Sequence, residues 1–573
     1  MRVLPWILIL PILLPTQQPE PRKADAGPTV HTTTGELRGA LQRDAAVFQG
    51  VPYAAPPVGP LRWREPQPVA AWTGVRDATT PGHACVQNDT GLDRFVAPLA
   101  ATYGTTYVGH TVASSEDCLY LNVWVPHWSA QGHTKSSLPV MVWLHGGSNT
   151  AGSGAQTTYD GVGVDGAGLI SHGVILVTIN YRLGVFGFFS HPELSRESRH
   201  HASGNYGLLD QLAALRWVRE NIAQFGGDPA NVTVFGESAG AIDAGVLMTS
   251  PLAWGLFRRV ISESGPPFGL GAIHTLAEAE AVGTAVGRAA SGKSPSALEN
   301  LRSLSAADVV KLAAGVMQGQ FKGFAPNSPI VDGWLLPLAP AKAFATGKIQ
   351  MVDLLIGVNG RELSAFRIGA AMLAKQAGQD QKSGGMGDAL KTLANTTRPL
   401  YGSWTDAAIG LAMTKVLVHR DAARDAAVDQ ATNDMMMACP AGAVAALVTH
   451  AGRRAFVYKF DHPIPGKGES ELGAFHGLEI PFVFNAFDDP GWRWLPFSAA
   501  DHQLSGTMET YWTNFARTGD PNSAGMPRWA AWSAGDEAYI DFDESGKAVP
   551  RRGFSPVFCH LSPDRLKGQL AGN

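Results

Sequence analysis

Five short apolar runs punctuate the chain: VMVWL at 140–144, VILVTI at 174–179, VTVF at 232–235, LLIG at 354–357 and AFVYKF at 455–460. Each is too short for an ordinary helix and most are rich in β-branched residues, so each predicts a strand covered on both faces. Helical spacing fills the intervals. Between 206 and 225, Leu208, Leu212, Leu215, Val218, Ile222 and Phe225 recur on one helical face before Gly226 and Gly227 stop the segment. Strand, helix and strand in succession predict parallel crossover units, hence an α/β fold with a mostly parallel central sheet flanked by helices. Residues 270–450 are Ala-rich and read as mainly helical, with LLIG as the principal interruption. That stretch is expected to form a helical excursion packed over the sheet, its part from 365 to 450 walling the pocket.

No Ser-, Gly- or Pro-rich linker divides the chain, so residues 27–573 are expected to form one large domain. The composition, 45% hydrophobic and 16% charged, excludes a disordered or solvating protein. The first residues change the picture more. Arg2 precedes an apolar run from Val3 to Leu14, and the small residues Ala24 and Ala26 follow, an arrangement that predicts a secretory signal over residues 1–26. The run is shorter than the roughly 20 residues a spanning helix needs, so no stable membrane insertion is expected after cleavage. Cleavage moves the net charge from −4 to −5, which implies no nucleic-acid partner. Cys85, Cys118, Cys439 and Cys559 form an even set in an exported chain. They predict two disulfides in one of three pairings, and none has the CxxC spacing of zinc or thioredoxin-like chemistry. Sequons at Asn88 and Asn395 matter only in a glycosylating host.

Reactive groups in an open α/β sheet belong on loops at the carboxyl ends of its strands. There, directly after VTVF, stands Gly236-Glu237-Ser238-Ala239-Gly240. A sharp strand-to-helix turn would lift Ser238 out of the backbone, and only small flanking residues tolerate the crowding. A serine hydroxyl needs a base within hydrogen-bond reach and an acid that orients the base. His419 and His450 lie in Ala-rich helical sequence and read as surface residues, while His462 and His476 both follow AFVYKF. His476, in the glycine-flanked loop GAFHG, is favoured on spacing, but both remain open. His502 and His560 come later still. For the acid, Glu362 follows LLIGVN at a strand end, with a solvated loop glutamate beside Arg361 as the competing reading. The turn after VMVWL, HGGS at 145–148, can approach a ligand closely, so the backbone N–H groups of Gly147, Ser148 and Ala239 are candidate oxyanion donors.

Longer stretches carry a resemblance: FQGVPYAAPPVGPLRWREP (48–66), SEDCLYLNVW (115–124), INYRLGVFGF (179–188), GNYGLLDQ (204–211), FGGDPANVTVFGESAGA (225–241) and ARTGDPN (516–522). Together they resemble the type-B carboxylesterase and cholinesterase family of α/β-hydrolases, over residues 30–560. The resemblance implies Ser238 as nucleophile, Glu362 as acid and His476 as base, which decides against His462. It implies supporting roles for Glu237 beside the nucleophile, Ser264 in ISESG and Glu479 in HGLE. It also implies the pairs Cys85–Cys118 and Cys439–Cys559. The expected function is an exported serine esterase working through an acyl-enzyme on a small or lipid-like ester, with no metal or organic cofactor. Amide or carbamate hydrolysis on the same scaffold, and a non-catalytic binding protein, are the alternatives.

Departures from the family pattern bear on substrate. The loop between Cys85 and Cys118 holds no tryptophan, and Val108 stands near the position where cholinesterases use one to hold a quaternary ammonium. Choline esters are therefore not expected. Ser148 and Asn149 replace the usual small and aromatic residues and predict a more polar pocket wall. Arg361 and Leu363 flank the acid where the family often has Asp and Gly, and Arg361 would depress the Glu362 pKa if the two side chains met.

Overall fold

The structure is a computed structural model that describes residues 27–556 and Cys559, except 43–44, 88–90, 109–112, 127, 129–136, 156–166, 269–272, 291–294, 322–326, 377–408 and 411–429. The signal segment expected over 1–26, the sequons at Asn88 and Asn395, His419, His560 and much of the expected pocket wall lie outside the described residues.

In chain order, the strands of the central sheet are β1 (Ala40–Gln42), β2 (Ala45–Pro52), β3 (Tyr120–Val125), β4 (Leu138–Leu144), β5 (Ile175–Ile179) and β6 (Gly227–Glu237). They continue with β7 (Arg259–Glu263), β8 (Asp353–Asn359), β9 (Ala455–Phe460), β10 (Tyr539–Phe542) and β11 (Ala548–Arg551). Their spatial order is β11-β10-β9-β8-β7-β6-β4-β5-β3-β2-β1. From β10 across to β5 every neighbour is parallel, and the two margins are antiparallel. Each predicted apolar run lies in a strand of the parallel part.

Alternation along these strands divides the core into two layers. Val140, Val142 and Leu144 of β4 face one cluster and Met141 and Trp143 the other. On β9, Ala455 and Val457 join the first, and Phe456, Tyr458 and Phe460 the second. On these two strands the first face is aliphatic and the second largely aromatic. At roughly 1.5–3 kcal/mol per fully buried large apolar side chain, this two-sided burial holds the central strands inside the molecule.

The larger helices are α1 (Gly91–Tyr103), α2 (Tyr206–Asn221), α3 (Ala239–Leu247), α4 (Leu276–Ala289), α5 (Ala306–Gln320), α6 (Glu362–Gln376), α7 (Cys439–His450) and α8 (Ala499–Thr518). The helix predicted over 206–225 is α-helical to Asn221 and closes with a 3-10 turn over Ile222–Phe225, after which Gly226 takes a left-handed φ of 86°. Gly227 already belongs to β6, so the strand begins well before VTVF. The Ala-rich stretch supplies α4 to α7, interrupted by β8 inside the sheet.

Two disulfides are present, Cys85–Cys118 and Cys439–Cys559. Among the described residues no helix is long and apolar enough to cross a membrane.

Candidate active site

Because β4, β6, β8 and β9 are parallel, their carboxyl ends lie along one edge of the sheet, and the segments that follow them converge there. Ser238 stands between β6 and α3 with φ 53° and ψ −120°, a conformation that disfavours any side chain. Its neighbours explain how the turn is accommodated. A Cβ at Gly240 would lie 2.0 Å from the Leu144 carbonyl oxygen, and one at Gly236 2.6 Å from the same atom. Glycine at both places lets the elbow press onto the end of β4.

His476 Nε2 lies 2.9 Å from Ser238 Oγ, and His476 Nδ1 lies 2.6 Å from Glu362 Oε2. The other Glu362 oxygen accepts the Asn359 backbone N–H at 2.7 Å, so the acid is turned back over the end of its own strand. Asn433 Oδ1 accepts the Glu362 N–H at 3.1 Å. Both Glu362 and His476 are buried. The Arg361 guanidinium donates to the Ser470 carbonyl at 2.7 Å. His462, the competing histidine, pairs instead with Asp501 at 2.6 Å, at the N-terminus of α8. His450 is exposed at the end of α7, and His502 packs on Phe487.

A group of buried carboxyls lies beneath this chain. Glu237 Oε1 is 3.2 Å from His476 Nε2. Ser264 donates to Glu479 Oε1 at 2.9 Å, and Asn359 Nδ2 donates to the other Glu479 oxygen. Burial, and secondarily the Glu362 charge, push the Glu479 carboxyl up to about 7. Glu263, which accepts from Trp512 Nε1 at 2.8 Å, is raised well above the usual carboxylate range by burial and by Glu479. Motif reading passed over Glu263, although it stands next to Ser264 in ISESG.

The turn after β4 places Gly147, Ser148 and Asn149 at φ 87°, 56° and 54°. No hydrogen bond engages the N–H groups of Gly147, Ser148 or Ala239 among the described residues. Asn149 engages a buried carboxyl. The asparagine is itself buried, and its Nδ2 donates to Asp243 Oδ1 at 3.2 Å. Gln211 donates to the other Asp243 oxygen at 2.6 Å, and burial pushes this carboxyl up to about 7. The next residue back, Asp210, holds Arg182 through two bonds of 2.7 Å, tying the NYR and GLLDQ motifs together. Val108 is exposed.

The model of the Carboxylesterase family matches residues 26–556. The chain belongs to that family. It is 36% identical over 509 residues to the fumonisin B1 esterase of Sphingopyxis macrogoltabida, covering 87% of this chain and 83% of the relative. It is 34% identical to the cocaine esterase of Homo sapiens, covering 90% and 88% of the two chains. Among solved structures, a PNB esterase superposes with a TM-score of 0.72 at 32% identity, covering 95% of this chain and 99% of its own. A Geobacillus stearothermophilus carboxylesterase, EST55, gives 0.72 at 31% identity with the same coverage. This carboxylesterase accordingly has the α/β-hydrolase fold and is a carboxylic ester hydrolase.

Proposed function

We propose that the chain is an exported serine carboxylesterase that hydrolyses small-molecule esters through an acyl-enzyme on Ser238. The observation that carries this reading is the unbroken series Ser238 Oγ, His476 Nε2, His476 Nδ1 and Glu362 Oε2, with links of 2.9 and 2.6 Å. His476 takes the Ser238 proton as Oγ adds to the ester carbonyl. Glu362 accepts from Nδ1–H, fixes the tautomer and stabilises the imidazolium. Glu237, 3.2 Å from Nε2, favours the same charged form. The N–H groups of Gly147, Ser148 and Ala239 receive the oxyanion. The alcohol leaves with the proton from Nε2, and water, deprotonated by the same nitrogen, then releases the acid.

Fumonisin B1 esterase and cocaine esterase among the relatives support a small-molecule ester as the substrate class. The apolar run with Ala24 and Ala26, together with two disulfides, supports export into an oxidising compartment. The test is rapid mixing with a p-nitrophenyl ester and its matched anilide. The reading predicts a nitrophenol burst of one equivalent per chain, no burst from Ser238→Ala, and far slower anilide turnover. Ester hydrolysis by Ser238→Ala at the wild-type rate would contradict it.

A further inference from the structure

The candidate oxyanion pocket is assembled from two separate elements. Gly147 and Ser148 belong to the turn after β4, whereas Ala239 opens α3, the helix that follows Ser238. The width of the pocket therefore depends on how firmly the turn is held to the helix. The turn does not hold itself at low cost, because Ser148 and Asn149 both sit in the left-handed region at φ 56° and 54°, which disfavours residues bearing a Cβ.

The next residue along the turn spans the gap. Asn149 Nδ2 donates to Asp243 Oδ1 at 3.2 Å, and Asp243 lies in α3, five residues beyond Ser238. Gln211 of α2 holds the second carboxyl oxygen at 2.6 Å. A fully buried carboxyl is costly where only neutral amides face it, and Asp243 forms no ion pair among the described residues. Both amide oxygens, Asn149 Oδ1 and Gln211 Oε1, are buried and without a partner among the described residues, so the amides are oriented by the carboxyl rather than by other neighbours.

We infer that Asp243 is a positioning residue that clamps the turn bearing the Gly147 and Ser148 amides, through Asn149, to the helix bearing Ser238 and the Ala239 amide. The inference rests on the serine-esterase reading above. Asp243 touches no reacting atom; it keeps the two sets of donors at the separation that a tetrahedral oxyanion requires. Loss of the clamp weakens stabilisation of the transition state more than binding of the ester, so kcat falls and KM holds.

The experiment measures kcat and KM for a p-nitrophenyl ester in wild type, Asp243→Ala, Asn149→Ala, the double variant and Asp243→Asn, with rates divided by sites counted from fluorophosphonate adduct mass. Each alanine variant is expected to lose about tenfold to a hundredfold in kcat per site, with KM within about threefold of wild type. The double variant should be no slower than the slower single within about threefold, because both remove one contact. Asp243→Asn keeps an acceptor for Asn149 and should recover most of the rate. Should Asp243→Ala fail to fold, Asn149→Ala carries the test, since it leaves α3 unaltered. Wild-type kcat per site in Asn149→Ala or Asp243→Ala, or single losses that multiply in the double variant, would overturn the clamp. A wild type that neither labels nor hydrolyses would instead overturn the esterase reading, so the two failures are distinct.

Discussion

Asp243 and Glu479 show what burial does to a carboxyl at single-residue scale. Burial pushes the Asp243 group to about 7, against about 3.9 in an unfolded chain. Between those values the folded protein holds a proton that the unfolded chain has released, so this group makes folding less favourable as pH rises from about 4 to 7. Asn at 243 has no proton to lose. The stability of Asp243→Asn relative to wild type, measured by urea unfolding at pH 4, 5.5 and 7, is therefore expected to increase with pH by up to about 4 kcal/mol. A pH-independent difference would mean that the buried carboxyl holds no extra proton. Single residues were also the least legible part of the sequence. Ser238 was marked by its glycines, but spacing left His476 and His462 open, and the resemblance separated them. Asn149 and Asp243 meet across 94 positions of sequence, and no local pattern announces such a contact. The polarity of Asn149 was visible; the carboxyl it meets was not.

At the scale of elements, the parallel strands were legible because burial on both faces leaves a continuous β-branched or aromatic run. The margins were not. β1, β2, β3, β10 and β11 pair antiparallel on at least one side, and their shorter or mixed patterns resemble loops. α8 was legible by the rule that marked α2, since its buried Leu504, Met508, Tyr511, Trp512 and Phe515 recur at helical spacing among polar residues, although it was not singled out from the sequence. The elbow joining β6 to α3 yields a direct prediction. A Cβ at residue 240 would collide with backbone of β4, at 2.0 Å from Leu144 O and 2.7 Å from His145 O, and backbone cannot swing aside as a side chain can. Gly240→Ala is expected to reduce ester hydrolysis at least about a hundredfold, while Gly255→Ala, where a Cβ meets nothing within 4 Å but φ is +81°, should cost about 1 kcal/mol of stability and little activity. Near-normal hydrolysis by Gly240→Ala would show that the elbow tolerates displacement.

Over the whole molecule, two disulfides close loops of very different span, with sequence separations of 33 for Cys85–Cys118 and 120 for Cys439–Cys559. The latter ties α7, which packs in the first core layer, to the end of the described chain. On loop-entropy grounds the longer closure contributes about 1 kcal/mol more. Thermal unfolding of Cys439→Ser/Cys559→Ser is accordingly expected at a lower temperature than that of Cys85→Ser/Cys118→Ser, and the reverse order would place the stabilisation in local packing instead. The sheet, its two layers and the converging strand ends serve one claim, that Ser238 is activated by His476. Intact-protein mass after incubation with a fluorophosphonate tests that claim most directly. The account predicts a single adduct on wild type, with loss of fluoride, none on Ser238→Ala, and none on His476→Ala over the same interval. Equal labelling of His476→Ala, or no adduct on folded wild type, would contradict it.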